Sequence, residues 1–129
     1  MIAMGNQMNL GQIIDLLDGH EIEKKVWFDF ANFAPYGPRS GVLRSYRGHY
    51  EDLAIGYEAY AECRLGDLVA ELKDAVGKVF TGYKGGYYRM ERDTTVWVAR
   101  YNESGGTGIV GIAHSDDYRV ILHTEMIDP

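Results

Sequence analysis

Residues that cross-link, break or anchor a chain are scarce here. Cysteine occurs once, at Cys63, which excludes an internal disulfide framework and a cysteine-based metal site. Proline occurs three times, and both interior prolines, Pro35 and Pro38, fall within residues 31–49. No apolar run approaches the ~20 residues that a membrane span needs. No two of His20, His49, His114 and His123 stand i, i+4 on a helix, and no H-E-x-x-H is present. The Gly-rich runs at 82–86 and 105–106 lack the spacing and the following helix of a Walker A loop or a dinucleotide fingerprint. Basic residues are also short: 13 Lys plus Arg face 19 Asp plus Glu, giving a net charge of −6. That balance argues against a protein that coats long DNA or RNA. What remains is ordinary for a soluble globular protein, with 129 residues, 46% apolar and 25% charged. A chain of that length buries about two-thirds of its unfolded surface as one domain.

Residues 1–8 read as a flexible N-terminal lead and 9–129 as a single α+β domain. MIAMGNQMNL lacks the basic-then-apolar order of a signal peptide, so the expected address is the cytosol. Leu10, Ile13, Ile14 and Leu17 recur at helical spacing behind an Asn9/Gln12 capping box, with Gly19 as the stop. Leu65, Leu68, Val69, Leu72 and Val76 predict a second helix that ends at Gly77. Alternation predicts strands over 26–30, 50–57, 79–83, 87–90, 95–101, 107–113 and 119–125. Residues 31–49 read as a long loop. Short Gly and Asp turns favour antiparallel pairing. The expected architecture is two helices packed on one face of a predominantly antiparallel sheet, in two layers.

The net charge hides an asymmetry. Residues 31–50 and 75–90 contain Arg39, Arg44, Arg47, Lys78, Lys84 and Arg89 and no acid, whereas the other 93 positions sum to −12. These two islands also hold six of the ten tyrosines (Tyr36, Tyr46, Tyr50, Tyr83, Tyr87, Tyr88) and seven glycines. Arg and Lys bind phosphate oxygens. Aromatic rings stack on bases. Glycine lets backbone N–H groups approach an anion. Together they suit a small anionic ligand with an aromatic base. The same residue types also suit a self-association surface, and the two uses are compatible.

Catalytic patterns are thin. His20 sits at a helix end, which favours a cation. His123 reads as a sheet-face residue. His49, beside Arg47 and Gly48, is the one histidine worth testing as a base. Cys63 precedes a helix start, but no neighbouring motif supplies a base, so a structural role is expected. Asp116-Asp117 and Glu51-Asp52 read as turn and solvated-strand charges.

The segments SYRGHYEDLAIGY (45–57), GKVFTGYKGGYYRM (77–90) and DTTVWVARYNESGGTGIVGI (93–112), following an N-terminal helix, resemble a set of small phage proteins. The chain is similar to the Thoeris anti-defence sponge family of the first-described type, over about residues 9–125. That resemblance implies binding without chemistry. Thoeris systems answer infection with a cyclised isomer of ADP-ribose, and sponges of this family sequester it in homo-oligomers. The family is also linked to cyclic oligonucleotide signals, bound at separate sites. The resemblance therefore implies immune evasion in the host bacterial cytosol by a homo-oligomer, a dimer or higher and as large as a hexamer, with no cofactor; no metal, no membrane and no long nucleic acid are expected from the composition and motifs above. From the chemistry, Arg47 and Lys84 are the expected diphosphate partners, with Arg44 and Arg89 as helpers. Tyr46, Tyr83 and Tyr87 are the stacking candidates. Arg100 and Asn102, entering the loop after the strongest strand, are placed for ribose or base hydrogen bonds. Arg100 departs from the Asn or Gly expected after the WVA segment, which bears on which signal is bound. Trp97 reads as core. Two other classes stay open: an inhibitor or adaptor that acts by protein contact, and a small hydrolase or lyase built on His49.

Overall fold

A computed structural model describes residues 7–30, 33–35, 43–59, 62–99, 105–114 and 119–127. Among the described residues, two helices, α1 (Leu10–Leu17) and α2 (Leu65–Ala75), accompany ten strands. These are β1 (Lys25–Phe28), β2 (Phe33–Pro35), β3 (Leu43–Tyr46), β4 (His49–Ile55), β5 (Tyr57–Ala59), β6 (Val79–Thr81), β7 (Tyr87–Arg89), β8 (Val96–Val98), β9 (Thr107–His114) and β10 (Arg119–Met126). Six of them form one sheet in the order β1-β10-β9-β8-β4-β3, while β2 pairs with β5 and β6 with β7.

Helix α1 forms as its sequence dictates. Asn9 Oδ1 accepts from the Gln12 amide, and Gln12 Oε1 accepts from the Asn9 amide, both at 2.9 Å. The next two free amides, of Leu10 and Gly11, donate to the Thr94 and Arg92 carbonyls at 2.8 and 2.7 Å. The helix start is thus satisfied by the turn before β8 as well as by its own cap. Its apolar stripe, Leu10, Ile13, Ile14 and Leu17, is at most 2% exposed. Each such side chain contributes about 1.5–3 kcal/mol of burial.

Both helices cover the same face of the large sheet. Their core residues pack on Val26, Phe28, Leu53, Ile55, Val96, Val98, Ile109, Val120 and Leu122. The alternate positions, Ala54 and Trp97, join Tyr46 and Ala99 in a smaller cluster on the opposite face. Two layers of helix on sheet are therefore present, and the fold is α+β. The proportions are richer in strand than the sequence suggests. Residues 31–49 contain β2 and β3, which at three and four residues are too short to show a period. The run 50–57 is divided at Gly56, with β4 in the large sheet and β5 outside it.

Pairing also differs from expectation in part. The short turns do give antiparallel neighbours: β3 with β4, β6 with β7, and β9 with β10. But β1 pairs with β10, and β4 with β8, in parallel. The β4-to-β8 connection includes α2, the long crossover that a parallel pair requires. As a result β1, β4, β8 and β10 all run in one direction and end along one rim of the sheet. The strand expected over 95–101 is β8 over 96–98, and its last two residues lie outside those described. No helix among the described residues is long and apolar enough to cross a membrane.

At that rim Asp29, just beyond β1, ties β1 to β10. Its carboxylate accepts from the Thr124 hydroxyl at 2.6 Å and from the Thr124 amide at 2.9 Å, with His123 Nδ1 3.5 Å away. Burial opposes the charge, but the Thr124 bonds, the Asp29 amide and the His123 imidazole outweigh it and hold the carboxyl below its ordinary value. A lowered pKa in the fold means stability that is present above the unfolded-state value and lost as pH falls through the carboxylate range. Asp29→Asn should therefore destabilise the protein near neutrality, and the gap should close below about pH 4. Urea unfolding of both proteins across pH checks this; a gap that does not change with pH would contradict it.

Candidate functional site

The two basic islands meet at one corner of the fold. The β3–β4 turn (Arg47-Gly48) and the β6–β7 turn (82–86) lie side by side, joined by a Ser45 hydroxyl that donates to the Thr81 carbonyl at 3.2 Å. The Tyr50 and Tyr88 rings meet across this contact at 6.0 Å. Gly82 sits between them, and a Cβ there would lie 2.8 Å from the Tyr88 ring and 3.1 Å from the Tyr50 ring. Gly85 and Gly86 then take consecutive positive φ values of 93° and 83°, which bends the turn back sharply. Gly82→Ala should cost about 1–3 kcal/mol by overpacking, read as a fall in the urea midpoint. No change would mean that the two turns are not packed together.

The guanidinium of Arg47 lies 4.3 Å from the centroid of the Tyr83 ring. Cation–π pairing at an exposed site is worth about 0.5–1 kcal/mol. It holds a positive group and a ring together at the surface, where Tyr83 is 56% exposed and Lys84 is exposed beside it. Arg47, Tyr83 and Lys84 are the sequence candidates that this corner brings together.

The other candidates are placed differently. Tyr46 is only 2% exposed. A bulge after Ser45 swings it over the sheet face opposite the helices, where its ring stacks on Trp97 at 4.8 Å and 10°. Its hydroxyl accepts from the Gly106 amide at 2.8 Å. Tyr46 thus braces the turn and offers no open ring face, whereas Trp97 is core, as its sequence suggests. His49, 6.0 Å from Tyr46 and 5.8 Å from Trp97 in nearly parallel planes, lies beside Tyr46 over the indole. Arg44 is half-buried, in register with Ala54 on that same face. Arg89 donates from Nη1 to the Gly77 carbonyl at 2.7 Å, which binds β7 to the end of α2. Lys78 pairs with Asp74 at 3.5 Å. Arg100 and Asn102 lie outside the described residues.

The second island also has an acidic side that a count along the chain misses. Tyr87, Tyr88 and Arg89 line a cavity of about 440 Å³ together with Glu51, Asp52, Glu91 and Asp93. These four carboxylates flank the islands in sequence, and pairing of neighbouring segments turns them toward the tyrosines. Tyr87 is 80% exposed at this side. These carboxylates make that cavity unfavourable for a phosphate, whereas no acid lies among the turn residues that carry Arg47 and Lys84.

Burial, with Asp67 and Glu71 nearby, pushes the Cys63 thiol up to about 12, so it is no nucleophile near neutral pH. No cluster of three or more His, Cys, Asp or Glu able to hold a metal occurs among the described residues.

Sequence reasoning missed one concave feature altogether. At the rim where β1, β4, β8 and β10 end, Phe30, Tyr57, Val98, Thr107, Thr124 and Met126 are among the residues that enclose about 310 Å³. Phe30 meets Tyr57 edge-on at 5.2 Å and 83°. The residues come from remote strands, so only the topology reveals them. No protein-family model, curated protein or solved structure matches this chain.

Proposed function

We propose that the protein is a nucleotide-signal sponge in the host bacterial cytosol. It binds a small cyclic signal, a cyclic ADP-ribose isomer or a cyclic oligonucleotide, and releases it unchanged. The observation that carries this reading is the meeting of the two acid-free turns, which puts Arg47, Lys84 and Tyr83 at one exposed corner of an otherwise acidic chain. Arg47 and Lys84 supply charge for the phosphates, and Tyr83 supplies an open ring. The role needs affinity and slow release, not a reacting group. Among the described residues no helix covers the sheet face that carries Trp27 and Ile121, which supports self-association through that face.

A second reading is an inhibitor or adaptor that acts by protein contact. The acidic, tyrosine-lined cavity beside the exposed Tyr87 favours it, because such a surface suits a basic segment of a partner.

Purification from cells that make the signal separates these readings. Denaturation of the purified protein should release an intact cyclic nucleotide, identified by mass spectrometry. A host protein in stoichiometric yield with no small molecule would support the second reading and overturn the first. A linear product would point to a degrading enzyme instead, with His49 as its base.

A further inference from the structure

We infer that the cavity between α2 and the strands β3 and β6 is a binding site for a small organic amine, an ammonium group on an apolar body. It shares no residue with the Arg47–Lys84 corner, and the inference does not depend on the nucleotide reading. The helix itself sets up the cavity. Leu65, Leu68, Val69 and Leu72 turn the apolar stripe of α2 into the core. Ala70, Glu71, Asp74 and Ala75 fall at helical spacing on the adjoining side. With Leu43 from β3, Lys78, and Phe80 from β6 they enclose about 470 Å³, within the range of small-molecule sites.

The lining selects the charge. Leu43, Ala70, Ala75 and Phe80 give it apolar walls. Lys78 Nζ lies 3.5 Å from Asp74 Oδ2 and 5.7 Å from the centroid of the Phe80 ring. One ammonium thus already sits against this ring, and Asp74 balances it. Glu71 is the charge left over. It is half-buried, and among the described residues no hydrogen bond or ion pair reaches its carboxylate. Burial pushes its carboxyl above the ordinary value; Lys78 pulls the other way, and Asp74 and Asp67 push with it. A partly desolvated carboxylate without a partner, set among apolar walls, marks a ligand site with a stated preference. An ammonium supplies the partner that Glu71 lacks, and the walls take the body that carries it. A neutral molecule leaves Glu71 unpaired, and an anion meets two carboxylates. A metal ion finds no set of three His, Cys, Asp or Glu among the described residues.

Phenethylamine, phenethyl alcohol and phenylacetate share one apolar body and differ in the charge at its end, so they test that preference. In protein labelled with ¹³C at the leucine methyl groups, phenethylamine should move the Leu43 signals by ring-current shift. It should leave in place those of Leu10, which is fully buried under α1. The alcohol should bind about tenfold more weakly, the usual loss when a hydrogen bond between charged groups becomes a neutral one. Phenylacetate should move nothing. Glu71→Gln should reduce the preference for the amine to about twofold, because an amide oxygen still accepts but carries no charge. The same variant should melt no lower than the parent, since it removes a carboxylate that has no partner. Leu43 signals that the amine does not move, equal affinity for amine and alcohol, or a preference unchanged in Glu71→Gln overturns the inference. A Glu71→Gln protein that melts well below the parent overturns it too, because the carboxylate would then be held within the fold.

Discussion

Trp97→Ala should destabilise the protein by about 3–5 kcal/mol, the usual loss for a buried tryptophan. Its burial and two contacts disappear together. Trp97 is 6% exposed, carries Tyr46 on its ring at 4.8 Å, and donates from Nε1 to Asp52 Oδ2 at 2.9 Å. Its removal leaves a void under Tyr46 and His49 and takes a partner from a carboxylate. For a domain of this size the melting temperature should fall by about 10–20 °C. Tyr46→Phe separates the ring from the hydroxyl. It keeps the stack but strips the Gly106 amide of its buried acceptor, and should cost about 1–3 kcal/mol. Urea unfolding of both variants measures these losses. A change below about 1 kcal/mol for Trp97→Ala would mean that this face of the sheet is not packed as described. Because Tyr46 immediately precedes Arg47, the same variants should also loosen the basic corner.

The legible parts of this protein were those set by near neighbours in the chain. The Asn9–Gln12 box, the stripe from Leu10 to Leu17 and the Gly77 stop depend on spacings of three or four residues, and α1 and α2 follow them. The antiparallel pairing of β9 with β10, close in sequence, is likewise a local matter. The parallel pairs were not legible. Val26 opposite Val120, and Leu53 opposite Val96, are matches between distant segments that no short window contains. The site shows the same divide. Arg47, Tyr83 and Lys84 stood out because acids are missing around them. Tyr46 stood out for the same reason, yet a bulge after Ser45 sends it into the core cluster. The carboxylates facing Tyr87 and the cavity at the strand ends both arise from contacts between distant segments, so composition gave no sign of either.

Ligand binding should raise the stability of the fold by about 2.7 kcal/mol at a free concentration of roughly 100 times the dissociation constant. That corresponds to an upward shift of several degrees in a thermal melt with a cyclic ADP-ribose isomer. On the proposed reading the ligand binds the folded corner and not the unfolded chain, which produces the shift. Arg47→Ala should abolish most of it. The Arg47 guanidinium supplies charge and stacks over Tyr83, so its loss both weakens the phosphate contact and frees the ring. The melting temperature of the ligand-free variant should stay within a few degrees of the parent, since an exposed cation–π pair contributes about 0.5–1 kcal/mol. Added salt should reduce the shift, because exposed charges are screened. A shift retained in full by Arg47→Ala would move the phosphate site away from this corner.

Binding without turnover is the central claim. Protein mixed with a molar equivalent of a cyclic ADP-ribose isomer, passed through a filter that retains it and then heat-denatured, tests that claim in one step. The filtrate should be depleted of ligand, and the denatured protein should release the isomer with its mass and retention time unchanged. Ligand recovered wholly in the first filtrate, or released as a linear product, would contradict it.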